Sequence, residues 1–344
     1  MRYPYVNIFN FCPKLNRFFI CSLRKLYSNC QTVSYAKPAE LNISRRYMNA
    51  WMYLWPAVGV LVVLFIAVIV VLITINLVLG LGVLAMYTIC PKEPLFEYII
   101  ETFRNPQIEK NIRDTFSVDV KEPLPHNAIY VWSPHALMSI STFMCNRSLC
   151  KADGYTPNHI VTIPLIQYIP IVSDVARYFG IIPSDYRSIE STLKKKESVS
   201  LMLGGVREMN MTEDFKIHLY ATRRRGIFRL ALTTGTPIVP VLTLGENELF
   251  PSSNIPLLNS FNQILYANFG MSLPFPSIRS LQNWVKLSQG PLKPIRSYTG
   301  KAIEVIQKNE PTEEDISSLR DRYIKGVEEL FKEHAGPEYT LQID

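Results

Sequence analysis

The sequence predicts an α/β fold, a mostly parallel sheet covered by helices, preceded by an N-terminal transmembrane hairpin. Three observations carry the prediction. From Tyr47 to Pro91 no Asp, Glu, Lys, Arg or His interrupts an apolar run. Beyond it, short strand-like runs alternate with helical patterns, as in sheets whose crossovers are helices. The composition is 48% hydrophobic over 344 residues, with a mean hydropathy of +0.08, which suits a sizeable core and excludes a disordered chain.

The uncharged run sets the organisation. As one straight helix it would be about 65 Å long, roughly twice the hydrocarbon thickness of a bilayer. It therefore breaks, and Thr74 to Gly82, which includes Asn76, Gly80 and Gly82, holds the breaking residues. Trp51, Tyr53 and Trp55 at one end and Tyr87 at the other suit interfacial belts. Lys and Arg flank both ends, so the positive-inside rule places both ends in the cytosol. The sequons at Asn42, Asn146 and Asn210 are then expected to be unused. A buried helix pair of a soluble protein is the plainer alternative. Three regions follow: a basic tail over 1–46, a transmembrane or re-entrant hairpin over 47–91, and an α/β domain over 92–344.

Within that domain the strand-like runs are AIYVW (128–132), HIVTI (159–163), VSLML (199–203) and IVPVLTL (238–244). A helix over 226–234 ends at Gly235, a favourable C-terminal cap. The last helix opens at Thr312 with Glu313, Glu314 and Asp315, a capping box with acids at the positive pole. Ile316, Leu319, Tyr323, Val327 and Leu330 recur on one of its faces, and Gly336-Pro337 stops it.

The net charge of +7 favours anionic partners: nucleic acid, acidic headgroups or phosphorylated cofactors. Six cysteines without a CxxC pair or zinc spacing indicate neither a metal site nor a disulfide framework.

Four motifs stand out, three of them with residues suited to chemistry. Ser133-Pro134-His135-Ala136 follows the first strand directly, at the edge where α/β folds build sites, and an imidazole there suits general-base work. Taken alone, a solvated or core histidine is the plainer reading. Gly204-Gly205 with Glu208 follows VSLML; paired glycines allow close approach of a ligand and free amides for an anion, and Glu208 could orient the histidine or bind an acceptor hydroxyl. A plain turn explains the pattern equally well. Arg223-Arg224-Arg225 opens the helix at Gly226, where guanidinium groups and helix amides suit phosphate. Lys194-Lys195-Lys196 reads as a solvated face.

In series, these motifs resemble the diacylglycerol acyltransferase type 2 family, with its monoacylglycerol and wax-alcohol relatives. The resemblance rests on Gly204-Gly205-Val206-Arg207-Glu208, Arg225-Gly226, Leu230-Ala231-Leu232, Val239-Pro240 and Gly245-Glu246-Asn247-Glu248. It extends to Arg187 in YFGIIPSDYRS and to the terminal pattern ending at Phe331 and His334, covering about Ile112 to the C-terminus. The family's His-Pro-His-Gly tetrad is Ser-Pro-His-Ala here, its Tyr-Phe-Pro element is Thr115-Phe116-Ser117, and the stretch from Phe250 to Gly290 is shortened.

The resemblance implies a membrane-bound O-acyltransferase with a glycerolipid acyltransferase-like domain. It would move a fatty acyl group from acyl-CoA to a lipid hydroxyl, that of diacylglycerol ahead of monoacylglycerol or a wax alcohol. His135 and Glu208 are then the expected catalytic pair. Ser133, Pro134, Arg187, Gly204, Gly205, Arg224, Arg225, Asn247 and Glu248 are the expected substrate-binding residues. No metal and no cofactor beyond acyl-CoA as co-substrate is called for, and no nucleic acid. The expected setting is the endoplasmic reticulum membrane, extending to lipid droplets, with a homo-oligomer left open. A lysophosphatidate-type enzyme would place Asp five positions after the histidine, where this chain has Ile140. A catalytically silent membrane scaffold is the rival from another class.

Overall fold

The computed structural model describes residues 114–120, 124–137, 139–145, 158–169, 172–178, 180–287 and 292–344, together with Leu64, Ala67, Val68 and Val70. The hairpin expected over 47–91 lies outside the described residues apart from those last four, which are helical and exposed. Among the described residues no helix is long and apolar enough to cross a membrane.

The strands are β1 (Phe116–Asp119), β2 (Ile129–Ser133), β3 (Asn158–Thr162), β4 (Ile182–Pro183), β5 (Ser198–Met202), β6 (Lys216–Leu219), β7 (Ile238–Leu244), β8 (Ile295–Thr299) and β9 (Thr340–Ile343). Seven form one sheet in the order β1-β8-β7-β2-β5-β3-β4, while β6 and β9 pair separately. The pairings from β7 through β2, β5 and β3 to β4 are all parallel. β8 runs antiparallel to β7, and β1 follows β8. The sheet is thus α/β and mostly parallel, with a reversed edge that the apolar runs did not announce.

Every residue of β2 and of β7 is buried, as expected for a parallel sheet covered on both faces. Alternation along β2 divides the core. Ile129 and Val131 join one cluster with Phe228, Leu319 and Tyr323, while Tyr130 and Trp132 join another with Ile140 and Phe250. Trp132, too large to bury without a partner for its indole N–H, donates to Ser200 Oγ at 3.2 Å.

The helices are α1 (Ile140–Cys145), α2 (Val172–Tyr178), α3 (Tyr186–Lys194), α4 (Val206–Asn210), α5 (Gly226–Thr234), α6 (Glu246–Leu249), α7 (Pro256–Phe269), α8 (Ile278–Leu287) and α9 (Glu313–His334). α5 ends at Gly235 in the left-handed conformation, φ 64°. α9 begins in a capping box between Thr312 and Asp315 and buries Ile316, Leu319, Tyr323, Val327 and Leu330. Both boundaries follow from local chemistry. The parallel register brings Trp132 beside Met202, and Ser133 beside Leu242. The chain therefore leaves β2, β5 and β7 at one edge, and there the motif residues gather.

Candidate active site

His135 leaves the C-terminal end of β2, two residues past Ser133, through a cis Ser133-Pro134 peptide. Ser133 is wholly buried, and its Oγ lies 3.1 Å from the hydroxyl of Tyr323 on α9. Pro134 is buried as well. Neither side chain is exposed, and both pack within the fold.

The His135 ring is only partly buried. Its Nδ1 stands 2.9 Å from the Ala136 carbonyl oxygen and 3.3 Å from Ser139 Oγ. A carbonyl oxygen only accepts, so Nδ1 carries the proton and Nε2 keeps a lone pair. The Ser139 hydroxyl donates to the His135 carbonyl at 3.0 Å, closing the loop on itself. Nε2 has no hydrogen-bond partner among the described residues. Burial pulls the imidazole below its ordinary 6.5, against the pull of the backbone hydrogen bond from Ala136. The ring is therefore neutral near pH 7, with its basic nitrogen unoccupied.

Two buried carboxylates hold this loop. Glu208, on α4 after β5, accepts from the His135 backbone N–H at 3.0 Å and from the Tyr220 backbone N–H at 2.8 Å. Burial pushes its carboxyl up to about 7 despite these bonds, a third from Gly204, and the nearby Arg224 guanidinium. Glu208 thus grips the backbone of the histidine, and its contacts leave the imidazole alone. Both oxygens are spent on amides, and the residue is 2% exposed. On the far side of the loop, Glu246 accepts from Ile140 N–H at 2.6 Å, from Ser141 N–H at 3.3 Å and from the Ser141 hydroxyl. These amides open α1, where a carboxylate also meets the positive helix pole.

The paired glycines work differently from the sequence expectation. A Cβ on Gly204 would stand 2.1 Å from Glu208 Cδ, so the room left by this glycine is filled by Glu208 rather than by a ligand. Gly205 does face open space, at φ 55°. Arg224 and Arg225 diverge. Arg224 Nη2 donates to the Gly204 carbonyl at 3.0 Å and its guanidinium lies over the Tyr220 ring, whereas Arg225 turns outward to Glu313 at 3.0 Å. Their convergence on one anion is not what the structure shows.

Asn247 and Glu248 brace a neighbouring turn. Asn247 Nδ2 donates to the carbonyls of Glu213 and Lys216, at 3.3 and 3.0 Å, and Glu248 Oε1 accepts from Phe215 N–H at 2.9 Å. That turn needs support, because Phe215 sits at φ 56°. Arg187 is exposed in the first turn of α3, following β4 at the same edge but three strands from β2, about 14 Å away.

Sequence reasoning gave no site role to Glu246, Ser139, Tyr220 or Tyr323. Glu246 stood in plain view as an acid followed by no base. Tyr323 lay on the apolar stripe of α9, where a buried hydroxyl demands a partner. Ser139 left no signal.

Comparison with known proteins identifies the family. The diacylglycerol acyltransferase family model matches residues 64–342. The chain is similar to 2-acylglycerol O-acyltransferase 1 of Homo sapiens, 26% identical over 249 residues that cover 68% of this chain and 74% of that one. It is 27% identical over 217 residues to diacylglycerol O-acyltransferase 1 of Schizosaccharomyces pombe, covering 60% and 63%. To diacylglycerol O-acyltransferase 2 of Dictyostelium discoideum it is 25% identical over 254 residues, covering 68% and 75%. The matched span takes in β1 through β8 and all but the last residue of β9, with the histidine loop and both of its carboxylate braces. This chain belongs to the diacylglycerol acyltransferase family, as an O-acyltransferase of glycerolipid synthesis.

Proposed function

We propose that His135 is the general base of acyl transfer from acyl-CoA to the hydroxyl of diacylglycerol, giving triacylglycerol. Nε2 removes the hydroxyl proton as the oxygen attacks the thioester carbonyl. The tetrahedral intermediate then expels coenzyme A as its thiolate, which takes the proton back from the imidazolium. The observation that carries this reading is the Nδ1 contact to the Ala136 carbonyl, which leaves Nε2 basic and free. The Gly205 amide, next to open space, is the candidate donor to the developing oxyanion. The N-terminus of α5, with the exposed Arg223 and Arg225, is the candidate cradle for the phosphates of coenzyme A.

A monoacylglycerol acceptor is the second reading, supported by the 2-acylglycerol acyltransferases among the relatives. The setting we propose is the endoplasmic reticulum membrane, with residues 1–46 and 92–344 on the cytosolic side. The uncharged run and the cations at both its ends support it. Microsomes carrying the chain, given labelled acyl-CoA and each acceptor in turn, test the assignment. Labelled triacylglycerol from diacylglycerol is the expected product. Product from monoacylglycerol alone would transfer the assignment to the second reading, and no product with any acceptor would refute both.

A further inference from the structure

The helix pair α7–α8 exposes large apolar side chains, while polar ones share the inward side of α7 with Leu258 and Leu265. On α7 the side chains pointing inward include Asn262, which bonds the Leu273 backbone twice at 2.9 Å, and Tyr266, whose hydroxyl accepts from Arg207 Nε at 2.7 Å. On α8 the inward side chains include Ser280, bonded to the Pro251 carbonyl at 2.5 Å, and Asn283, bonded to the Leu249 carbonyl at 2.9 Å. Facing outward are Leu257 at 76% exposure, Phe261 and Ile264 on α7, and Ile278 at 74% and Leu281 on α8. Leu257, Phe261 and Ile264 fall at i, i+4 and i+7, one continuous stripe. A helix on the water-facing surface of a domain keeps such large apolar side chains inward.

Charge sharpens the pattern. From Leu249 to Ile278 there is no charged residue, and from Leu249 to Ile303 there is no Asp or Glu, while Arg279, Lys286, Lys293, Arg296 and Lys301 all occur. Lys286, Lys293 and Arg296 are exposed. Arg279 is paired with Asp214 at 2.5 Å, and an apolar stripe flanked by the remaining cations complements an anionic lipid surface: the apolar side chains enter the acyl boundary and the cations meet the headgroups. Each basic side chain that reaches such a surface contributes about a fivefold factor in binding.

Position agrees with this. α7 is tied through Arg207 to α4, the helix that carries Glu208. Exposed Leu165, Tyr168 and Tyr186 follow β3 and β4 at the same sheet edge. The opposite edge exposes Ile306, beyond the bridge between Ile303 and the start of β7.

We infer that α7–α8 is a membrane-docking surface that lies in the plane of an anionic lipid leaflet and holds the mouth of the His135 site against it. The inference deepens the membrane-acceptor reading and rests on it, but it is tested by lipid contact as well as by turnover.

Benzoylphenylalanine is placed at Phe261 or Ile264 of the full-length chain, or at Ile306 as the far-edge control. The chain is reconstituted in phosphatidylcholine vesicles with or without phosphatidylserine and irradiated. Lipid adducts at 261 and 264 and none at 306 are expected, with a severalfold lower yield when phosphatidylserine is omitted or salt is raised. Adducts to a second copy, adducts to residues 47–113 of the same chain, or no adduct would each overturn the inference. In parallel, Phe261→Asp with Ile264→Asp should lower transfer to vesicle-borne acceptor severalfold and leave transfer to a dispersed short-chain acceptor unchanged; equal loss with both overturns it. Lipid adducts from a chain that acylates no acceptor would uphold the docking surface and sink the acyl-transfer reading instead.

Discussion

The loop around His135 and the helix pair α7–α8 depart from ordinary solvent logic in opposite directions. The loop buries two carboxylates, Glu208 and Glu246, each 2% exposed, where an apolar core is the rule. The helix pair exposes leucine, isoleucine and phenylalanine where charge is the rule. The first departure is compensated inside the chain, because every oxygen of the two carboxylates meets a donor. The second finds little compensation among the described residues, where Phe261 meets the Phe275 ring at 6.3 Å and still stays exposed. A buried charge that is satisfied locally concerns positioning, whereas an apolar stripe left unsatisfied concerns a partner.

The largest expected effect breaks the site without touching either brace. His135→Ala should lower kcat by about 10²–10⁴-fold, the usual cost of removing a general base. Thermal stability in detergent should hardly change, because the ring bonds only to its own loop. A near-normal rate would move the base elsewhere.

Removing a brace should show the opposite pattern. Glu246→Ala leaves two amides and a hydroxyl without their acceptor, and should cost roughly 3–5 kcal/mol of stability together with activity. A stable Glu246→Ala chain would mean that the loop holds its own shape.

The pH dependence sharpens the contrast next. Folded Glu208 titrates at about 7 against an ordinary 4.5, so between those values the folded chain holds a proton that the unfolded chain has lost. Stability therefore falls as pH rises from 4.5 to about 7 and levels off above, by on the order of 3 kcal/mol for this group. Glu208→Gln should flatten that slope, measured by unfolding in detergent. His135 works in the other sense. Its pKa is lowered, so its share of stability, like its activity as a base, is lost as pH falls below 6.5. The acid limb of kcat/KM should accordingly lie below 6.5, and a midpoint above 6.5 would contradict the neutral imidazole.

Arg225 stands between the two regimes, an exposed cation already facing Glu313. Arg225→Ala should change stability by no more than about 0.5 kcal/mol, since exposed ion pairs contribute little. It should raise the Michaelis constant for acyl-CoA and leave that for the acceptor alone; an unchanged acyl-CoA constant would remove it from the phosphate cradle.

The smallest effect belongs to the helix pair in detergent. Leu257→Ser should alter stability by less than about 0.5 kcal/mol, because an exposed side chain loses no burial. A loss of several kcal/mol would show that α7 is packed against something within the chain.

The sequence by itself determined what depends on neighbours along the chain. Gly235 stops α5 because a left-handed residue is cheapest without a Cβ, and Thr312 with Asp315 starts α9 through bonds spanning three residues. The apolar runs became β2, β3, β5 and β7 within one residue of their expected bounds. The order of the motifs placed the chain in its family. Only the tertiary structure decided what depends on groups far apart in sequence. The grip of Glu208 on the His135 amide joins residues 73 positions apart, and that of Glu246 on Ile140 spans 106. Neither sequence neighbourhood shows which hydrogen bonds its acid will make. The divergence of Arg224 from Arg225, the reversal of β8 and the outward turn of Leu257, Phe261 and Ile264 are of the same kind. Each is set by which face of an element meets the rest of the fold, and periodicity identifies a face without saying what it meets.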